Sequence, residues 1–337
     1  MKPSKNRLAA VLGAFLAAMA ATLTCAAGSA ADVSAGLKPE KGIFRMGIQP
    51  WLGDGQWHVA DKFDLFRQNG LERVDIINFT EDKDVNAALA SGHLDGANMA
   101  THTAMGMVAA GLPVKIVMLL NMSETADALI ADPSVKTLAD LKGKRIAYEE
   151  GATSDILLRS ALAAAGIDFK DIVAVPMPAA MAGSSLIAGR VPVAVTYEPY
   201  LTVAKNQNPG LNMLYSGRDD PGIVSDVFVV REEVLQQRPG QVLALLKSWD
   251  AAYRHYQANM QADRAVIATA VGATPEELAS AFDGVVFFSV ADNKHELGNR
   301  FSRETFVSIR DAASKAGLVQ KPVEPEQMID SRFVDAL

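Results

Sequence analysis

From Gly42 onward, short apolar runs alternate with segments whose apolar residues recur every three or four positions. Ile43–Ile48 reads as a first strand ending at Gln49-Pro50-Trp51, and residues 58–69 read as a helix closed by Gly70. Residues 74–79 predict a second strand. Asp84 opens a helix with Val85, Ala88 and Leu89 on one face, and residues 94–97 form a short third strand. A helix carrying Met105 and Val108 stops at Gly111, ahead of Pro113, and residues 114–120 form a fourth strand. Strand and helix in repetition predict a mostly parallel sheet covered on both faces.

The pattern restarts near Pro133 on a smaller scale. Residues 138–148 read as a short helix, a turn and a strand, and Gly151-Ala152-Thr153-Ser154 starts a helix that Gly166 ends. A strand at 172–175, a helix at 179–188 and a strand at 193–197 complete a second α/β lobe over residues 131–222. Residues 227–230 give one further strand. Helices follow at 233–238, 241–259, 261–271, 275–282 and 303–316, with Thr274 and Pro275 suited to an N-cap and N1. The expected domains are a first lobe from 42 to 130, resumed over 223–337, with the second lobe inserted. Chain crossings near 130 and 223 would then act as hinges. No strict repeat of 20–50 residues is present.

Residues 1–31 change the picture of where this chain works. Lys2, Lys5 and Arg7 precede a charge-free apolar run and then small residues, which reads as a secretory signal cleaved after Ala30 or Ala31. An uncleaved anchor is the alternative. Cys25, the only cysteine, would carry a lipid if the leader were of the lipoprotein type, but Thr22-Leu23-Thr24 is a poor lead-in. Cleavage leaves no cysteine, so the mature chain relies on its core rather than disulfides. Loss of three basic residues takes the formal charge from −7 to −10. An acidic chain without a basic tract points away from nucleic acid and anionic membranes.

In open α/β sheets, ligands lie beyond the carboxyl ends of the strands. The residues so placed are Gln49, Trp51, Phe79, Asn98, Thr101, His102, Ser123, Thr153, Ser154, Tyr197, Glu198 and Asp226. The Gly151–Ser154 turn could offer unpaired helix N–H groups and two hydroxyls to an acidic group, or Thr153 and Ser154 could be ordinary caps. Asp155 in the first turn would repel an anion if it pointed inward. Trp51 and Trp57 flank a glycine-containing loop and could stack on a ligand or pack as a lid. Glu198 and Asp226 could pair with an ammonium or amidine, or bond hinge amides. His102 reads more naturally as a polar helix-start residue. The five histidines show no metal-binding spacing, and no Walker, GxSxG or usefully placed GxGxxG motif occurs. No cofactor is expected.

Four blocks carry a family resemblance: Thr137 to Ala147, Gly92 to Ala97, Gly189 to Tyr200 and Asp226 to Glu233. They resemble, in order, segments of type II periplasmic binding proteins of ABC importers. The likeness is to the branch that binds aliphatic sulfonates, taurine, nitrate and thiamine-pyrimidine precursors. It implies a two-lobed α/β fold and a monomer that is exported to the periplasm. It further implies a cleft site for a small anionic or amphoteric ligand, sulfonate- or taurine-like first, and ABC permease subunits as partners. The turn at 151–155 would meet the ligand's acidic group and Asp226 an amine. Two departures stand out: Pro178-Ala179-Ala180-Met181 lacks the usual acidic residue, and Tyr197 replaces a common tryptophan. Pyrimidine-precursor synthases share the fold but carry a cysteine-rich stretch, so the expectation is a binder and not an enzyme. A sensor subunit that presents ligand to a membrane kinase is the remaining alternative.

Overall fold

The computed structural model describes residues 33–337, so the leader assigned to residues 1–31 and Cys25 lie outside the described residues. Eleven strands occur among the described residues. In chain order they are β1 Ile43–Ile48, β2 Arg73–Asn78, β3 Gly96–Ala100, β4 Val114–Ser123, β5 Asp127–Ala131 and β6 Arg145–Tyr148. Next come β7 Val173–Pro176, β8 Val193–Tyr197, β9 Asn212–Ser216, β10 Ser225–Arg231 and β11 Val285–Phe287.

They form two sheets of matching order. The first runs β2-β1-β3-β10-β4 with β11 on the outer edge of β4, and the second runs β7-β6-β8-β5-β9. In the first, β1 pairs in parallel with β2 and β3, while β10 lies antiparallel between β3 and β4. In the second, β6 pairs in parallel with β7 and β8, while β5 lies antiparallel between β8 and β9. Each five-strand unit is therefore four strands running one way plus one strand arriving from the other sheet. The chain is two-lobed α/β, with the first lobe discontinuous.

Parallel neighbours need a helical crossover, whereas an antiparallel strand can enter after a short link. The link from β4 to β5 is only residues 124–126. The crossing therefore precedes β5, earlier than the expected 130. The run Ala126 to Ala131 is short, rich in alanine and interrupted by Asp127, which is why its pattern shows no strand. The second crossing, residues 217–224, packs tightly on the first: a Cβ on Gly217 would sit 1.9 Å from the carbonyl oxygen of Ser123.

The helices that position the site are α1 Gly55–Lys62, α2 Leu65–Gln68, α3 Asp82–Ala90, α4 Thr101–Ala109, α5 Thr153–Ala164, α6 Ala179–Ile187 and α7 Tyr200–Gln207. The expected single helix over 58–69 is split into α1 and α2, because Asp64 takes a positive φ of 58° between them. The expected helix at 275–282 is a series of turns ending in the 3-10 turn Ala281–Gly284, although Thr274 and Glu277 do exchange capping bonds. Before the final long helix, Phe306–Lys315, residues Glu296–Thr305 adopt π-helical geometry.

Trp57 is fully buried in the first lobe, 4.8 Å from Trp249 and 5.3 Å from Phe228 between ring centroids. Its place is the core, and the lid role considered for it is set aside. Burying one such ring contributes roughly 1.5–3 kcal/mol. The second lobe has a smaller centre of Ala128, Ile130, Ala147 and Ala194, where small residues let α6 and α7 approach the sheet.

Candidate functional site between the lobes

The matching strand orders place five strand ends and two helix starts around one cavity. From the first lobe come Gln49 after β1, Asp82 at the start of α3, and Asp226 at the amino end of β10. From the second come Glu149 after β6, Thr153 and Ser154 at the start of α5, Tyr197 at the end of β8 and Asp127 at the amino end of β5. Trp51 closes one side. The space between them, including its mouth and the solvent there, is ≈ 400 Å³.

Trp51 is held for a purpose visible in its hydrogen bond. Its indole N–H donates to Asp226 Oδ2 at 2.8 Å, and its ring meets Tyr197 of the other lobe edge-on at 6.0 Å. The approach depends on Gly53: a Cβ there would lie 2.1 Å from Trp51 Nε1 and 2.5 Å from the Asn121 side chain. Tyr197 stacks edge-on against Tyr200 at 5.3 Å, and its hydroxyl has no hydrogen-bond partner among the described residues.

Among the described residues, four carboxyl groups line this cavity and no Lys or Arg does. Burial pushes Asp226 up to about 6, against hydrogen bonds from Trp51 and Asn121 that favour its charged form. Burial, then the charge of Asp226, raises Asp127 to about 8. Burial, then Glu149, raises Asp82 to about 7 while Gln49 Nε2 donates to it at 2.5 Å. Glu149 is raised by burial, and two backbone N–H groups oppose that shift. Behind the wall, fully buried Asp54 accepts Gln49 N–H at 3.2 Å and is raised to about 8 by burial and by Asp226. Asp54, Asp82 and Asp127, gathered away from water, keep their protons into the neutral range.

The Gly151 turn is arranged differently from the expectation of an open anion cradle. Gly151 has a φ of +78°, and its N–H donates to the fully buried Asp155 carboxylate at 2.9 Å. Arg159 Nε completes that carboxylate at 2.7 Å. Ser154 Oγ accepts the Glu149 N–H at 2.8 Å, so its hydroxyl is engaged inside the lobe. The turn thus carries its own anion, as Asp155 in the first helical turn warned.

Of the expected residues, Gln49, Trp51, Thr153, Ser154, Tyr197 and Asp226 line the cavity. Six others sit outside that lining. Phe79 packs against the first-lobe core. Asn98 lies inside β3, which runs three residues beyond its expected end, and bonds Asp54 and Trp57. Thr101 Oγ1 reaches the Ser225 carbonyl at 3.0 Å. His102 is buried, its pKa lowered to about 4 chiefly by burial, and the Ala152 and Gly151 backbone approaches the ring without completing a hydrogen bond. Ser123 Oγ accepts the Asp127 N–H at 2.9 Å. Glu198 accepts Thr202 N–H at 2.9 Å and Thr202 Oγ1–H at 3.0 Å, closing the first turn of α7.

Sequence reasoning missed Asp82, Asp127 and Glu149. Asp127 is the one charge in an apolar six-residue run, and Glu149 directly follows the strand that ends at Tyr148. Both signals were present in the sequence. Among the described residues, no group of three or more His, Cys, Asp or Glu is arranged to hold a metal ion.

A family model described as "NMT1/THI5 like" matches residues 56–262, more than half of the chain. The chain belongs to the NMT1/THI5-like family. A Brucella abortus (strain 2308) relative, named only as a candidate binding protein, is 29% identical over 59% of this chain and 62% of its own length. This chain thus spans less than two thirds of that protein. The taurine-binding periplasmic protein of Escherichia coli (strain K12) is 26% identical over 60% of this chain and 63% of its own. Among solved structures, the periplasmic aliphatic sulphonate binding protein SsuA of Escherichia coli matches with a TM-score of 0.72 at 21% identity. That match covers 88% of this chain and all of SsuA, so the family member described here has the periplasmic binding protein fold. No helix among its described residues is long and apolar enough to cross a membrane.

Proposed function

We propose that this protein is the exported solute-binding component of an ABC importer, working in the periplasm as a monomer that delivers a small ligand to permease subunits. Its relatives named as binding proteins support the role, and the two-lobed fold with a cavity at the lobe boundary supports the mode. Ligand contact with both walls would favour the closed form to the extent that it binds that form more tightly. A binder rather than an enzyme is the reading the site chemistry favours. The Ser154 hydroxyl is engaged by backbone, and His102 stays neutral and outside the cavity lining.

The observation that carries the ligand class is a cavity lined by four carboxyls without a cation and walled by Trp51 and Tyr197. Of the amphoteric ligand expected from sequence, the amine pole therefore has the stronger support. The proposed ligand is a small organic cation or zwitterion whose positive group meets Asp226 and Asp127, with aromatic rings beside it. Protonated aminopyrimidines and taurine both fit this description, whereas nitrate and simple alkanesulfonates fit it poorly.

A thermal-shift panel tests the class, since a ligand that binds only the native state raises the melting temperature. 4-Aminopyridine, 4-aminopyrimidine and taurine should stabilise the protein, and methanesulfonate and nitrate should not. Stabilisation by methanesulfonate or nitrate with none by the amine-bearing compounds would overturn the proposal.

A further inference from the structure

Helices α3 and α6 start on opposite sides of the cleft, and neither has a side-chain cap: the N-cap residues are Glu81 and Pro178, and neither side chain accepts a helix N–H. Both first-turn donors are nevertheless satisfied by one side chain. Glu149 Oε1 accepts the N–H of Asp82, first residue of α3, at 3.0 Å. Glu149 Oε2 accepts the N–H of Ala179, first residue of α6, at 3.0 Å. The backbone of Glu149 is itself fixed, because its N–H and carbonyl both bond Ser154 Oγ.

Two nine-residue helices with uncapped starts converging on one point create the place in this cavity where negative charge is most favoured. The chain fills that place with its own carboxylate, and the residue lines the ligand cavity. The partners left over are of the opposite kind: Asp127 Oδ2, on a side chain more than nine-tenths buried, has no hydrogen-bond partner among the described residues. An anionic ligand would therefore meet a filled anion position and an unpaired carboxyl.

We propose that Glu149 is a specificity-determining residue, a built-in anion that occupies the position between the α3 and α6 starts and so restricts the cavity to ligands without an acidic group at that pole. This rests on reading the cavity as the ligand site. It also makes Glu149 a bridge between lobes, since one of its oxygens bonds within its own lobe and the other bonds across the cleft. Removing the side chain should expose two helix N–H groups to a small anion.

Calorimetric titration and thermal shift with methanesulfonate on the wild type, Glu149→Ala, Glu149→Ser and Glu149→Gln test this. The two small replacements should gain saturable methanesulfonate binding, about tenfold or more tighter than any wild-type response, as expected for an anion held by backbone N–H groups. Glu149→Gln still fills the space and should gain none. Should Glu149→Ala fail to fold, Glu149→Ser carries the same test. If folded small-residue variants bind methanesulfonate no better than the wild type, the proposal is overturned. 4-Aminopyridine binding to the wild type keeps the two readings separate. Its absence counts against the cation class, whereas a methanesulfonate gain in the variants still supports the role of Glu149.

Discussion

Asp226 stands at the amino end of β10 and Asp127 at the amino end of β5, so the two carboxyls hold equivalent places in two sheets of matching strand order. Their surroundings differ. Asp226 is braced by the Trp51 indole at 2.8 Å and by Asn121, and is pushed up only to about 6. Asp127 has Ser123 beside it, one oxygen without a partner among the described residues, and is pushed up to about 8. The first-lobe wall is preorganised around a charge, whereas the second-lobe wall holds a carboxyl that an incoming donor would complete. Such a division suits a cleft that assembles its binding site by closing.

The largest expected effect comes from breaking the braced side. Asp226→Asn removes the charge that Trp51 and Asn121 hold in place, and should weaken 4-aminopyridine binding by about 2 kcal/mol, read by calorimetry. The substitution Asp127→Asn should separate affinity from stability. Affinity should fall by about 1 kcal/mol, while the ligand-free protein should become no less stable near pH 8, read by thermal denaturation. The sign follows from linkage. A carboxyl raised from 3.8 to about 8 keeps its proton in the folded state while the unfolded state loses it, so its contribution to stability declines as pH rises from about 4 to about 8. Asp127→Asn should flatten that decline. The smallest effect belongs to Glu198→Gln. Glu198 closes the first turn of α7 without lining the cavity, so its loss should cost roughly 0.5–1 kcal/mol of stability and leave affinity within about threefold.

Much of the fold was legible because long-range pairing follows local pattern. Strands such as 43–48 and 193–197 announce themselves as apolar runs bounded by turns, and their order specifies a split first lobe. The crossing strand β5 was not legible. Its alanine-rich sequence carries little strand propensity, and its place between β8 and β9 makes it a strand. Missing β5 meant missing Asp127. The strand-end rule picked out Gln49, Trp51, Tyr197 and Asp226, which line the cavity because they lie at sheet ends. It misplaced Asn98 because β3 continues through Met99 and Ala100, which carries that side chain back into the first lobe beside Asp54 and Trp57. The sign of the cavity's charge was the hardest part to read. It depends on Asp82 and Glu149 meeting across two lobes, 67 positions apart in the chain.

The central claim is that the cleft receives a positive group among carboxyls that are partly protonated when it is empty. Calorimetric titration of 4-aminopyridine near pH 7, in two buffers of different ionisation enthalpy, tests it directly. A bound cation should drive protons off Asp127, Asp82 and Asp226, so the measured enthalpy should depend on the buffer in the sense of proton release, and affinity should rise between pH 6 and pH 8. Proton uptake on binding, with affinity falling as pH rises, would contradict the account and point to an anion.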